Sequence, residues 1–127
     1  MSPSMGWFKN KNSQNPQKLT RLTTRFIAEQ DGPTERDLKA AFIQVFREEP
    51  AVERAYLARA EHGHGSGAHV TLAIKSSCGE NPLLVRKLMS IFSEMFNSQE
   101  HLDMMFIRED QEHQLREVCA PFYRLPG

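Results

Sequence analysis

The residues of this chain best suited to chemistry are its two cysteines and five histidines. Cys78 stands between an expected strand and the start of an expected helix, where the positive end of the helix dipole lowers a thiol pKa. Many cysteine nucleophiles are placed in this way. The neighbouring residues do not complete a site. Leu83 and Leu84 fall where the arginine of a phosphatase loop would stand, and Arg86 comes too late. The other cysteine, Cys119, is far along the chain, which excludes a CxxC redox pair. Catalysis would also need a positioned base, so an ordinary free thiol in a loop is expected.

Glu61, His62, His64 and His69 surround the run Glu61–Gly67, EHGHGSG. The H-x-H spacing suits zinc, which accepts nitrogen and carboxylate ligands. The glycines make the run a flexible hairpin loop, however, and structural zinc needs rigid ligands. A solvated hairpin tip without metal is the expectation. Glu109, Asp110, Glu112 and Glu117 form an acidic stretch. Paired carboxylates do acid–base work when burial drives their pKa values apart. With Arg108 and Arg116 interspersed, these read instead as the solvated face of an exposed helix.

Lys9, Lys11, Lys18, Arg21 and Arg25 make the N-terminal region basic, a feature that can hold phosphate groups. Sequence-specific RNA binding on a sheet needs stacking aromatics on central strands, and Ala68–Lys75 carries none. Sixteen basic residues balance sixteen acidic ones, which argues against a module that relies on a dominant positive field. No run of about 18 apolar residues is present to span a bilayer. The expectation is therefore no nucleic acid, no membrane and no cofactor.

The elements that must position these side chains follow from periodicity. A length of 127 residues fits one domain. Residues 1–17, rich in Asn, Ser, Gln and Pro, read as a flexible polar tail in which Trp7 and Phe8 are the apolar exceptions, with no secretory signal. Residues 18–127 read as the folded domain. Arg21–Gln30 is taken as a strand ended by Asp31-Gly32-Pro33, although Leu19, Leu22 and Phe26 also have helical spacing. Thr34 is the expected cap of a helix with Leu38, Phe42, Val45 and Phe46 on one stripe, ending before Pro50. Val52–Ala60 and Ala68–Lys75 read as strands. In the second, Val70, Leu72 and Ile74 make an apolar face opposite a largely polar one. Asn81 caps a helix that begins at Pro82 and carries Leu84, Leu88, Ile91, Phe92 and Met95. His101–Ile107 is a strand with apolar residues on both faces, which suits burial on both sides or contact with another chain. Asp110 then caps a last helix containing Leu115 and Val118.

The order β-α-β-β-α-β-α predicts an α+β, ferredoxin-like sandwich with two helices on one sheet face. If residues 21–30 are not a strand, a three-stranded α+β sandwich remains.

The run Glu49-Pro50-Ala51-Val52-Glu53-Arg54-Ala55-Tyr56-Leu57-Ala58 resembles the P-x-V-x-x-A-Y-L segment in the C-terminal domain of the SseB, or enhanced serine sensitivity, family. Cys119-Ala120-Pro121-Phe122-Tyr123 resembles that domain's terminal P-F-Y, and the resemblance covers roughly Phe26–Tyr123. The resemblance implies a bacterial cytoplasmic protein; separately, the two cysteines suggest free thiols in a reducing compartment. The larger N-terminal domain of many relatives is not seen in this sequence. The resemblance carries no established catalytic residues, and the association of some relatives with secretion or toxin–immunity systems implies protein binding.

The expected function is thus a non-enzymatic interaction domain that binds a protein partner or a second copy of itself. The expected surface is Tyr56, Met105, Phe122 and Tyr123, aided by the adaptable Met95 and Met104. The structural reading of the same aromatics puts Tyr56 in or beside the core and has Phe122–Tyr123 fold back to pin the C-terminus, with rimming a groove for a partner as their functional alternative. The rival readings are an amino-acid-sensing domain and a thiol-dependent enzyme using Cys78.

Overall fold

The computed structural model describes residues 24–62, 67–97 and 99–126. The expected tail 1–17 with Trp7 and Phe8, the basic residues before Thr24, and His64 lie outside them. Two long alternating segments make the centre of the sheet. These are β2 (Val52–His62) and β3 (Ala68–Ser76), antiparallel from Glu61↔Ala68 to Val52↔Ser76. On the other side of β2, β1 (Thr24–Glu29) pairs with its Ala58–His62 stretch. The two-residue β5 (Tyr123–Arg124) pairs with Arg54 and Ala55 farther along. Outside β3 lies β4 (Asp103–Phe106), in parallel register from Thr71↔Asp103 to Ile74↔Phe106.

The α+β class and the β-α-β-β-α-β-α order are those read from the sequence, with β5 added at the end. The sheet sets β1 to β4 side by side in chain order. Strands joined by the first helix are therefore antiparallel neighbours, and those joined by the second are parallel neighbours, without a strand interleaved between them.

Helices α1 (Pro33–Phe46) and α2 (Pro82–Met95) share one sheet face. Their stripes Leu38, Phe42, Phe46 and Leu84, Leu88, Phe92 meet Ala55 and Leu57 of β2 and Val70, Leu72 and Ile74 of β3. Each large side chain buried fully in this way contributes about 1.5–3 kcal/mol over its exposed state. The shorter α3 (Glu109–Leu115) lies on the opposite face, where Leu115 and the following Cys119 pack on Phe26, Tyr56, Ala58, Ala60, Ala73 and Ile107.

Helix α2 opens at Pro82 with Asn81 as its cap, as read from the sequence, whereas the starts of α1 and α3 differ. Pro33, not Thr34, opens α1, where its missing N–H leaves nothing unsatisfied. The cap is Gly32, and a Cβ there would lie 2.5 Å from Glu35 Oε1. Buried Glu35 folds back over that point and accepts from Gln30 Nε2. In α3 the cap is Arg108, whose N–H donates to Gln111 Oε1 at 2.8 Å, while Asp110 binds the Arg108 guanidinium instead. Val118 falls in the turn after α3.

The acidic stretch is not wholly solvated. Glu112 is 3% exposed. Both its oxygens are taken by Arg54, through Nε and, at 2.9 Å, through Nη2, and the Tyr56 hydroxyl donates to it as well. The Arg54 pair and the Tyr56 hydrogen bond outweigh burial and hold the Glu112 carboxyl down at about 2, while burial and that carboxylate push Tyr56 up to about 12. The sequence pattern missed this because a buried acid needs partners from another element, here β2. Since the folded pKa lies below its ordinary 4.5, Glu112 stabilises the fold above that pH and its contribution is lost as pH falls toward about 2. Glu112→Gln should therefore cost about 2–4 kcal/mol, because the Arg54 charge loses its partner. Denaturant melts at pH 7 and pH 3 check this, the variant differing from wild type less at the lower pH.

Candidate functional site

The four side chains expected to form a surface are dispersed by the sheet. Tyr56 is 0% exposed, and its hydroxyl is spent on Glu112, so it offers no area to a partner. Tyr123 is also buried. Its ring lies 5.2 Å from that of Phe46, and its hydroxyl donates to the Phe46 carbonyl at 3.3 Å. Phe122, half-buried, packs on Phe46 with Lys39 Nζ 5.8 Å from its ring centroid, and its N–H donates to Ala55 O. Phe122 and Tyr123 thus pin the C-terminal segment against β2 and α1. Met105 is half-buried on β4, at the opposite edge of the sheet from β5. Three strand spacings, about 14 Å, separate those edges, so Met105 and Phe122 form no common patch.

What surrounds Met105 is a more coherent site. Among the described residues β4 pairs only with β3, which leaves its outer backbone edge without a strand. All four β4 side chains are half-buried, with Met104 and Phe106 toward the two-helix face and Met105 toward the α3 face. Beside Phe106, a shallow open groove of about 430 Å³ runs along the start of α2, lined by Glu80, Asn81, Pro82, Val85, Arg86 and Met89. Asn81 fixes this end of α2 by accepting the Leu84 N–H at 3.1 Å. The groove differs from a small-molecule pocket, which encloses most of its ligand.

A second constellation lies at the hairpin end of the α3-side face, where His62 and His69 are buried instead of solvated. Strand β2 runs past the expected loop start to His62, and alternation brings Thr24, His62, Thr71 and Asp103 onto one face. His62 Nδ1 meets Thr24 Oγ1 at 3.2 Å, and its Nε2 meets Thr71 Oγ1 at 3.0 Å and Asp103 Oδ2 at 3.5 Å. His101 Nε2 bonds Asp103 Oδ1 at 2.6 Å. The His69 ring lies 6.2 Å from His62 and 6.3 Å from His101.

Burial pushes the His62 pKa down, aided by His69 and opposed by Asp103. The hydrogen bond to Asp103 raises His101. Burial would raise Asp103, but the His101 hydrogen bond and the charges of the three imidazoles hold it below the usual range. This cluster is not singled out by the sequence reading: the i, i+2 spacing of His101 and Asp103 is its one local trace, and its other half needed the β2–β3 and β3–β4 registers. Among the described residues no group of three or more His, Cys, Asp or Glu is arranged to hold a metal ion. The His62 nitrogens face the two threonines, and His101 Nε2 faces Asp103.

Cys78 is exposed in the turn after β3, three residues before the α2 cap, and its N–H donates to Ser76 Oγ at 3.2 Å. Cys119 is buried under α3, its thiol 3.5 Å from Leu57 O. Burial, with Glu29 adding its charge, pushes that thiol up to about 12. Alkylation of the native protein at pH 8 should modify Cys78 and spare Cys119, with both modified after unfolding. Mass mapping of the adducts checks this.

The sequence model of the SseB protein C-terminal domain matches residues 27–124, from β1 through β5. No curated protein and no solved structure gives a significant match. The two segments that carried the resemblance are also the ones with structural work in the fold: Tyr56 binds Glu112, and Phe122–Tyr123 close the β2 edge. The match extends over most of the sequence, and the chain belongs to the SseB protein C-terminal domain family.

Proposed function

We propose that this is a non-catalytic, cytoplasmic protein-interaction domain, and that its docking surface is the β4 edge with the adjoining α2 groove. The observation that supports this reading most directly is β4 itself. It is an edge strand whose outer backbone row meets no strand among the described residues, with side chains half-open on both faces. Such an edge is a template for an added strand. An extended segment paired to β4 would set one row of side chains beside Met105 and the other beside Met104, Phe106 and the apolar wall of the groove, Val85 and Met89. Backbone pairing supplies affinity in this mode, and the groove selects an apolar side chain. No helix among the described residues is long and apolar enough to cross a membrane.

The partner is an extended, apolar-containing segment of another protein, or β4 of a second copy. Binding to the partner recovered by affinity capture is then measured with purified components. Met105→Asp should weaken it about tenfold or more, equivalent to ~1.4 kcal/mol. Leu125→Asp, at the exposed far end beyond β5, should leave it unchanged. If the partner is the chain itself, Met105→Asp should convert the assembly to monomer in sedimentation velocity. A folded Met105→Asp variant that binds or self-associates like wild type removes β4 from consideration.

A further inference from the structure

We propose that His62, His69, His101 and Asp103 form a proton switch that loosens the hairpin end of the sheet, at the starts of β1 and β4, in mild acid. The cluster is where all four main strands are tied together: Thr24 from β1, His62 from β2, His69 and Thr71 from β3, and Asp103 from β4. Two imidazoles, His62 and His101, contact the one carboxylate, and the His69 ring lies beside both. His101 is half-exposed and already holds Asp103 at 2.6 Å, whereas the His62 side chain is 4% exposed. A proton on His101 is therefore neutralised at once. A second proton, on His62, would be a cation out of water, 3.5 Å from a carboxylate already engaged and 6.2 Å from the His69 ring.

The charged groups acting on His62 are Asp103 from β4 and His69 from β3, and those acting on Asp103 are the three histidines. Glu61, next along β2, turns to Arg25 at 2.8 Å. His64 lies outside the described residues.

The signs separate the members. His101 is raised, so its contribution is complete below the ordinary histidine value and fades as pH rises through its folded value. Asp103 is lowered, so its contribution fails only as pH drops below 3.8. His62 is lowered, so the folded state loses stability as pH falls below 6.5, where the unfolded chain takes up the proton first. Between about pH 6.5 and 4, His62 is the member whose protonation favours opening. Opening is confined to this end of the sheet, because the Arg54–Glu112 anchor and the two-helix core lie along the rest of β2 and on the other face. The inference stands on the cluster and is independent of the docking reading.

Hydrogen exchange of the full chain without partner, corrected for intrinsic rates, tests it between pH 6.5 and 5.0, where the His101 contribution is already complete. In the wild type, protection of the Thr24–Phe26 and Asp103–Met105 amides should fall about tenfold relative to α1 and α2, and in His62→Gln that difference should vanish. A constant ratio in the wild type, or an equal fall in His62→Gln, overturns the switch. Should His62→Gln not fold, wild-type NMR titration decides. The β1 and β4 amide shifts should follow the His62 midpoint, and shifts that follow His101 or stay fixed overturn it equally.

Discussion

Glu112 sits at 3% exposure, and an ionised carboxylate at that depth persists only if its lone pairs are occupied. Arg54 and Tyr56 occupy them, and they stand two residues apart on the same face of β2. Since β1, β3 and β5 all pair with β2, an anchor on that strand fixes α3 against the strand that pairs with most of the others. A helix as short as α3 has little intrinsic stability. The ion pair and the Leu115 contact decide where it sits.

The same sheet face changes character along its length. Beneath α3 and the turn that follows, Ala58, Ala60 and Ala73 are small enough for Leu115 and Cys119 to approach the backbone. At the hairpin end Thr24, His62, His69 and Thr71 replace them, and buried polar groups must then satisfy one another. One face therefore carries an apolar half that holds a helix and a polar half that responds to protons.

Edges are treated just as unequally. The long outer edge of β2 is filled by β1 and, farther along, by β5, which the Phe122 and Leu125 amides tie down through Ala55 O and Glu53 O. The outer edge of β4 receives no strand among the described residues. Tyr56 and Phe122–Tyr123 are structural fastenings, and a fold does not carry a partner with it. The functional reading comes from the edge that remains open.

The sequence by itself determined the elements. Helical stripes at Leu38–Phe46 and Leu84–Met95, and alternation over Val70–Ile74, are local patterns that depend only on the periods of helix and strand. The family signatures were legible for the same reason: they are contiguous. What only the tertiary structure decided was pairing. Glu112 reads as a solvated acid until β2 brings Arg54 and Tyr56 beneath it. His62 and His69 read as a loop tip until the β2–β3 register and parallel β4 surround them with Thr71 and Asp103. Met105 and Phe122 read as one surface until strand order puts them at opposite edges. Burial and proton affinity are set by neighbours distant in the chain, and no local period encodes which distant strand becomes the neighbour.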